Sequence, residues 1–126
     1  MPASASFHAT LPCSDFERAK RFYAEKVGLT PADEQPGGAF YEAPDGSRFL
    51  LFPSSGAASG SHTQMGIRVQ DIESEVRDLK SRGLQFEEYD FDGFDKSTSI
   101  ASVGAIKSAW FKDSEGNLVG LAQLPS

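Results

Sequence analysis

The stretch Ser14-Asp15-Phe16-Glu17 opens a helical pattern that closes at Gly28-Leu29, and the chain repeats this arrangement further on. Gln70-Asp71-Ile72-Glu73 opens the second pattern, which closes at Gly83-Leu84, 55 to 56 positions after the first. Self-similarity over this distance indicates two supersecondary units that bury their apolar faces together. A site between such halves takes equivalent positions from both, so the repeat also predicts where function lies.

Both helices carry start and stop signals. Ser14 is the predicted N-cap of the first helix, and Glu17 completes a capping box with it. Asp71 is the predicted N-cap of the second helix. Gly28 and Gly83 suit the left-handed residue that follows a helix. Carboxylates at these helix starts are therefore interpreted as caps rather than as catalytic acids.

Hairpin signals also repeat, because Asp45-Gly46 and Glu115-Gly116 stand 70 positions apart and each precedes an apolar run. The pattern predicts two tandem β-α-β-β-β modules of an α+β fold, at about residues 5–53 and 62–124 of one domain. The small, polar segment 54–61 is the predicted linker. The predicted strands are 7–12, 29–34, 39–43, 48–52, 62–69, 84–91, 107–111 and 118–124.

The halves differ in length between helix end and hairpin. The interval is 18 positions in the first half (Gly28 to Gly46) and 33 in the second (Gly83 to Gly116). The extra 15 residues fall at 91–105, which is too long for a hairpin turn. This segment is either a binding loop or a solvated insertion.

Bulk composition excludes several classes of protein. A net charge of −6 argues against a nucleic-acid-binding surface, which needs clustered Lys and Arg. Cys13 is the only cysteine, so no intrachain disulfide forms and a reducing compartment is expected. Neither a signal-peptide pattern nor a run of ~18 apolar residues occurs, so we expect a cytoplasmic protein with no membrane partner.

Four stretches carry a family resemblance: Ser14–Tyr23, Val27-Gly28-Leu29, Val69–Ile72 and Trp110–Asn117. With the repeat, they resemble the vicinal oxygen chelate superfamily, which includes glyoxalases, extradiol dioxygenases, and bleomycin- and fosfomycin-resistance proteins. The resemblance implies two modules whose mixed sheet curls into an incomplete barrel around a cavity. It also implies a homodimer.

The metalloenzymes of this superfamily hold one divalent ion with side chains from the first and fourth strands of each module. By the repeat, the first-strand positions are His8 and Gln64, and the fourth-strand positions are Leu50 and Gly120. Leu and Gly side chains cannot bind a metal, and a Gln oxygen is a weak ligand. We therefore expect no metal and no other cofactor. His62 shares the strand face of Gln64 and is a weak alternative ligand.

His8 has two interpretations. It is either a general base in the cavity or an inherited interior histidine without chemistry, and we favour the second. A thiol nucleophile made of Cys13 and His8 is disfavoured, because the two residues lie five positions apart across a strand end.

Aromatic residues are the other signal of a cavity. Phe40-Tyr41 and Trp110-Phe111 are equivalent by the 70-residue offset, and alternation points one residue of each pair inward. The sequence does not decide which one, and core packing explains the same residues slightly better. The predicted cavity residues are His8, Tyr41, Leu50, Gln64, Trp110 and Gly120.

These observations predict a metal-free, glyoxalase- or bleomycin-resistance-like protein that binds a small organic molecule in the curled-sheet cavity. The alternative is a lyase or isomerase of the glyoxalase type (lactoylglutathione lyase-like) that uses His8 with a non-standard or absent metal site. An accessory subunit with a vestigial cavity is a third interpretation.

Overall fold

The computed structural model describes residues 2–125 and contains two helices and nine strands within them. Helix α1 (Phe16–Phe22) continues into a π-helical turn, Tyr23–Val27, and helix α2 is Ile72–Ser81. The strands are β1 Ala9–Cys13, β2 Asp33–Gln35, β3 Gly38–Glu42, β4 Arg48–Pro53, β5 Thr63–Arg68, β6 Phe94–Asp95, β7 Ile100–Val103, β8 Ile106–Lys112 and β9 Leu118–Gln123. Neither helix is long and apolar enough to span a membrane.

Two mixed sheets confirm the predicted α+β class and its repeat. The first sheet has the order β1-β4-β3-β2, and the second has the order β5-β9-β8-β7-β6. In each sheet the strand before the helix pairs in parallel with the last strand of the module, and the other pairs are antiparallel. Strand β6 is an addition to the second module at the edge of its sheet.

Two of the predicted strands are wrong. Residues 84–91 form no strand; Leu84 and Phe86 supply apolar contacts to the core instead. Strands β6 and β7 form inside segment 91–105, because Ile100 and Ala101 are buried and β7 pairs with β8. The strand predicted at 29–34 shrinks to Asp33–Gln35.

The start of α1 also differs from the prediction. Asp15, not Ser14, is the N-cap, and its carboxylate accepts a hydrogen bond from the Arg18 backbone N–H at 3.0 Å. Glu17 makes no capping box and instead pairs with Lys20 at 2.9 Å. The Asp71 cap of α2 is confirmed, since its carboxylate accepts from the Ser74 N–H at 3.2 Å.

Alternation along the strands divides each sheet into two faces. One face is buried against the helices and holds the core, which includes Leu11, Tyr23, Tyr41, Leu51, Ile72, Val76, Phe111 and Val119. The opposite face, here called the open face, carries Thr10, Phe40, Leu50, Gly66, Trp110 and Gly120. Because β1 lies beside β5, the open faces of the two modules adjoin.

The hairpin between β8 and β9 docks on α1 and joins the modules. One oxygen of the Glu115 carboxylate accepts hydrogen bonds from the Ser14 and Asp15 amides, each at 3.0 Å. The other oxygen accepts from Arg18 Nε at 2.8 Å. Beneath it, the buried Tyr23 hydroxyl donates to Asp113 at 2.8 Å, and the Asn117 amide donates to the Pro12 carbonyl at 3.0 Å.

Candidate ligand-binding site

Strand register places three open-face residues in a row across each module. In the first module, Leu50 pairs with Thr10 on one side and with Phe40 on the other. In the second, Gly120 pairs with Gly66 and with Trp110. The rows are equivalent across the repeat, but the second has two glycines beside a large aromatic residue. The open face therefore carries no side chain at Gly66 in β5 or at Gly120 in β9, and it carries the Trp110 indole at β8.

The Trp110 indole lies over Gly120. A Cβ atom at Gly120 would stand 3.1 Å from Trp110 Nε1 and 3.2 Å from its Cδ1, so the ring occupies the place of a side chain there. The indole N–H donates to the Thr63 hydroxyl at 3.2 Å, and the Tyr89 ring meets the indole edge-to-face with centroids 5.3 Å apart. These contacts fix a planar platform over Gly120, one of the four positions that the resemblance implies for metal ligands.

His8 stands just before β1, and its imidazole meets the Phe40 ring edge-to-face at 5.5 Å. It borders a cleft of about 890 Å³, which reaches the open face at His8 and Gly66. Its ring makes no hydrogen bond to any residue within 2–125. A general base normally needs a partner that fixes its tautomer, and His8 has none among these residues.

Tyr41 lies on the other face of its strand from the predicted one. Its side chain is buried among the helix-facing residues, where it stacks on Phe49 at 4.7 Å and contacts Tyr23 at 5.6 Å. Phe40 is the first-module residue on the open face, as Trp110 is in the second. Tyr41 does border the large cleft, from its helix-facing side.

The six predicted cavity residues thus separate into three groups. Leu50, Trp110 and Gly120 lie on the open face, while His8 and Tyr41 border the cleft. Gln64 lies at the register shift between Thr63 and Met65 in β5, and its amide donates weakly to the Thr10 carbonyl at 3.4 Å. Sequence reasoning left Phe40 open as the alternative to Tyr41 and missed three residues, Thr63, Gly66 and Tyr89. The repeat offset could have drawn attention to Gly66, because it pairs this residue with Thr10.

The β8–β9 hairpin docks on α1 and closes the space between them. The equivalent space in the other half of the repeat, between the β3–β4 hairpin and α2, is the large cleft. Its walls are the β3–β4 hairpin and the start of α2. The β3–β4 hairpin lacks the side chains with which the β8–β9 hairpin docks on α1, so it does not close onto α2. Across the repeat, Asp113 becomes Ala43, Glu115 becomes Asp45, Asn117 becomes Ser47, Arg18 becomes Ser74 and Tyr23 becomes Leu79.

The donor set does not fit a divalent metal ion. Of the four family positions, only His8 offers a strong ligand, and the Gly120 position is covered by carbon and N–H atoms of the indole. Among the residues that the structure describes, no group of three His, Cys, Asp or Glu side chains could hold a metal ion. His62 Nδ1 lies 2.8 Å from the Ser59 hydroxyl in the linker.

Cys13 is a structural thiol. It is buried on the helix-facing side of β1, and its Sγ donates to the Phe52 carbonyl at 3.3 Å. Burial, followed by the charges of Glu115 and Asp113, raises the pKa of Cys13 to about 11. A thiol with so high a pKa is a poor nucleophile at neutral pH.

Comparison with known proteins identifies the class. The model of the Glyoxalase/Bleomycin resistance protein/Dioxygenase superfamily matches residues 6–121, and the chain belongs to this superfamily. An uncharacterised protein of Bacillus subtilis, YurT, is 28% identical over 86% of this chain and 91% of its own length.

Solved structures agree on the fold. UcmS2 superposes with a TM-score of 0.74 at 19% identity, covering 97% of this chain and 98% of its own. A glyoxalase/bleomycin resistance protein from Catenulispora acidiphila gives 0.69 at 16% identity, with coverages of 97% and 100%. Lactoylglutathione lyase from Agrobacterium tumefaciens gives 0.62 at 22%, with coverages of 98% and 96%.

Proposed function

We propose that this protein binds a small organic molecule, without a metal ion, on the open face of its curled sheet. The observation that carries the proposal is the Trp110 indole over Gly120, which puts a planar aromatic platform at a family metal-ligand position. A ring of the ligand stacks on this platform, and the exposed Gly66 backbone beside it lets the ligand approach closely.

Steric space supports this placement. A Cβ atom at Gly66 would meet no atom within 4 Å, and Gly66 does not have a left-handed backbone. The side-chain position above Gly66 in β5 is therefore open, and the backbone there is exposed. On the first module, His8 and Phe40 extend the same surface with a polar and an aromatic group.

Ligand screening tests the proposal. Trp110 is the only tryptophan, so intrinsic fluorescence reports directly on the platform. We expect planar bicyclic compounds such as quinoline to shift this fluorescence saturably in the presence of a chelator. Failure of every planar compound to bind would overturn the proposal.

A blocking variant locates the site. Gly66→Val fills the empty position without a backbone clash, and a β-branched residue suits a strand. We expect it to fold as stably as the wild type and to lose ligand affinity at least about tenfold. Gly56→Val in the linker is the matched control and keeps full affinity. Unchanged binding by Gly66→Val would place the ligand elsewhere.

The rival function is a glyoxalase-type lyase or isomerase that uses His8. One observation favours it: His8 borders the large cleft, so its imidazole can be reached by a substrate. Its test is formation of lactoylglutathione by the wild type and by His8→Ala. Turnover that disappears in a folded His8→Ala variant would establish the rival; we expect no turnover in either protein.

We also propose a homodimer. Val103 and Ile106 are paired neighbours at the β7–β8 turn and leave 66% and 42% of their surface exposed. Strand β2 ends its sheet with three exposed residues and an unpaired edge. A second copy of the chain would cover these apolar and hydrogen-bonding groups.

A further inference from the structure

Four aromatic rings form one connected cluster at the second module. The Tyr89 ring contacts Trp110 at 5.3 Å, Phe94 at 5.8 Å and Phe91 at 6.1 Å, and Phe91 lies 5.8 Å from Phe94. Phe91 leaves 44% of its surface exposed, and the other three rings are half-buried. This aromatic cluster extends the indole platform outward along residues 89–94.

Carboxylates neighbour the cluster along the chain. Asp90 and Asp92 flank Phe91 in the chain, are exposed, and form no hydrogen bond or ion pair of their side chains within residues 2–125. Glu87 lies close enough that its charge, after burial, raises the pKa of Tyr89. Glu87 itself pairs with Lys112, whose Nζ lies 3.9 Å from a Glu87 carboxylate oxygen.

Positive charge is missing over these rings. In the described part of the chain, the cation–π contacts are Lys20 over Phe16 and Arg48 over Phe40, both in the first module. Exposed aromatic faces with unpaired carboxylates alongside attract an organic cation, both through the ring quadrupoles and through simple charge attraction. A neutral aromatic molecule gains stacking but neither of these two attractions, and an anion is repelled by the carboxylates.

From this geometry we infer that the ligand is a planar organic cation, such as an N-alkylated heteroaromatic ring, held by the aromatic cluster and by Asp90 and Asp92. The inference rests on the proposed function and names the ligand class of that site. The charge of the ligand lies beyond the indole, toward Phe91, where the two aspartates stand.

Three probes of similar size test the charge preference: N-methylquinolinium as the cation, quinoline as the neutral ring and 1-naphthoate as the anion. Binding is followed by Trp110 fluorescence and by calorimetry. We expect N-methylquinolinium to bind about tenfold more tightly than quinoline and 1-naphthoate to bind most weakly. The preference should shrink as salt screens the aspartates.

The double variant Asp90→Asn/Asp92→Asn assigns the preference to these side chains. We expect it to lose most of the preference for the cation over the neutral ring, while Glu17→Gln/Glu25→Gln, in α1 and the π-helical turn after it, makes the same change in net charge and keeps the preference. Equal affinity of cation and neutral ring in the wild type would overturn the inference and leave the proposed function standing. A preference that survives undiminished in the aspartate variant would overturn the assignment, and no binding by any probe would overturn the proposed function itself.

Discussion

At the scale of the residue, Glu115 is the most heavily bonded side chain of the module junction. Burial opposes its ionisation, but hydrogen bonds from Arg18, the Asp15 and Ser14 amides and the Ser114 hydroxyl outweigh this and lower the pKa of Glu115 to about 2. The fold therefore stabilises the ionised form of the Glu115 carboxylate.

Because the folded-state pKa of Glu115 is lower than its unfolded value, its contribution to stability is present above the unfolded pKa, near 4.5. It is lost as the pH falls from there toward about 2. We expect Glu115→Gln to lower the free energy of unfolding at pH 7 by about 1–3 kcal/mol and to lose less stability than the wild type between pH 5 and 3. Urea titrations at both pH values measure this. The exposed Glu25→Gln is the control, and equal effects of the two variants would refute the role of Glu115.

Residue-scale prediction from sequence succeeded where one physical cause dominated. Asp71 was predicted as a cap because its type and position suffice. Ser14 was predicted wrongly because the carboxylate that its N–H and hydroxyl bind, Glu115, is 101 positions away. Tyr41 was predicted on the wrong face because alternation gives two registers, and burial by the helix selects one.

At the scale of the element, the two hairpins of the repeat behave differently. The β8–β9 hairpin is held by Asn117, whose Nδ2 donates to the Pro12 carbonyl and to Asp113 at 2.8 Å. Its equivalent in the β3–β4 hairpin, Ser47, is exposed, and among the described residues its side chain bonds only to Asp45.

We therefore expect Asn117→Ala to lower the free energy of unfolding by about 2–3 kcal/mol, because it leaves buried polar groups unpaired. Ser47→Ala is the matched comparison and should change it by less than about 0.5 kcal/mol. Chemical denaturation of both variants checks the difference. Similar losses would mean that the two junctions are equally closed, contrary to the geometry of the cleft.

Elements were predictable where periodicity was strong and unpredictable where tertiary contacts decide. Both helices and the hairpin strands follow from caps, glycines and apolar spacing. Strands β6 and β7 did not, since Phe94–Asp95 is too short to show a period and β7 gains its regularity by pairing with β8.

At the scale of the whole molecule, the proposed homodimer predicts a particle of twice the 13.6 kDa chain mass. Light scattering coupled to size exclusion measures it. Val103→Lys/Ile106→Lys should yield a folded monomer, because two lysines cannot be buried in an apolar contact. A wild type that stays monomeric at high micromolar concentration would refute the dimer.

The fold and its repeat could be derived from the chain, but the position of the Trp110 ring over Gly120 could not. The sequence shows that Gly120 lacks a metal-binding atom; only the tertiary structure shows the indole above it.

Metal binding tests the central claim, that the site works without a metal ion, most directly. The measurement is the metal content of the purified protein, followed by titration with nickel, manganese, iron and zinc while thermal stability is recorded. The account predicts far less than one equivalent of metal and no rise in melting temperature with any of the four ions. About one equivalent of metal, lost in His8→Ala, would contradict it.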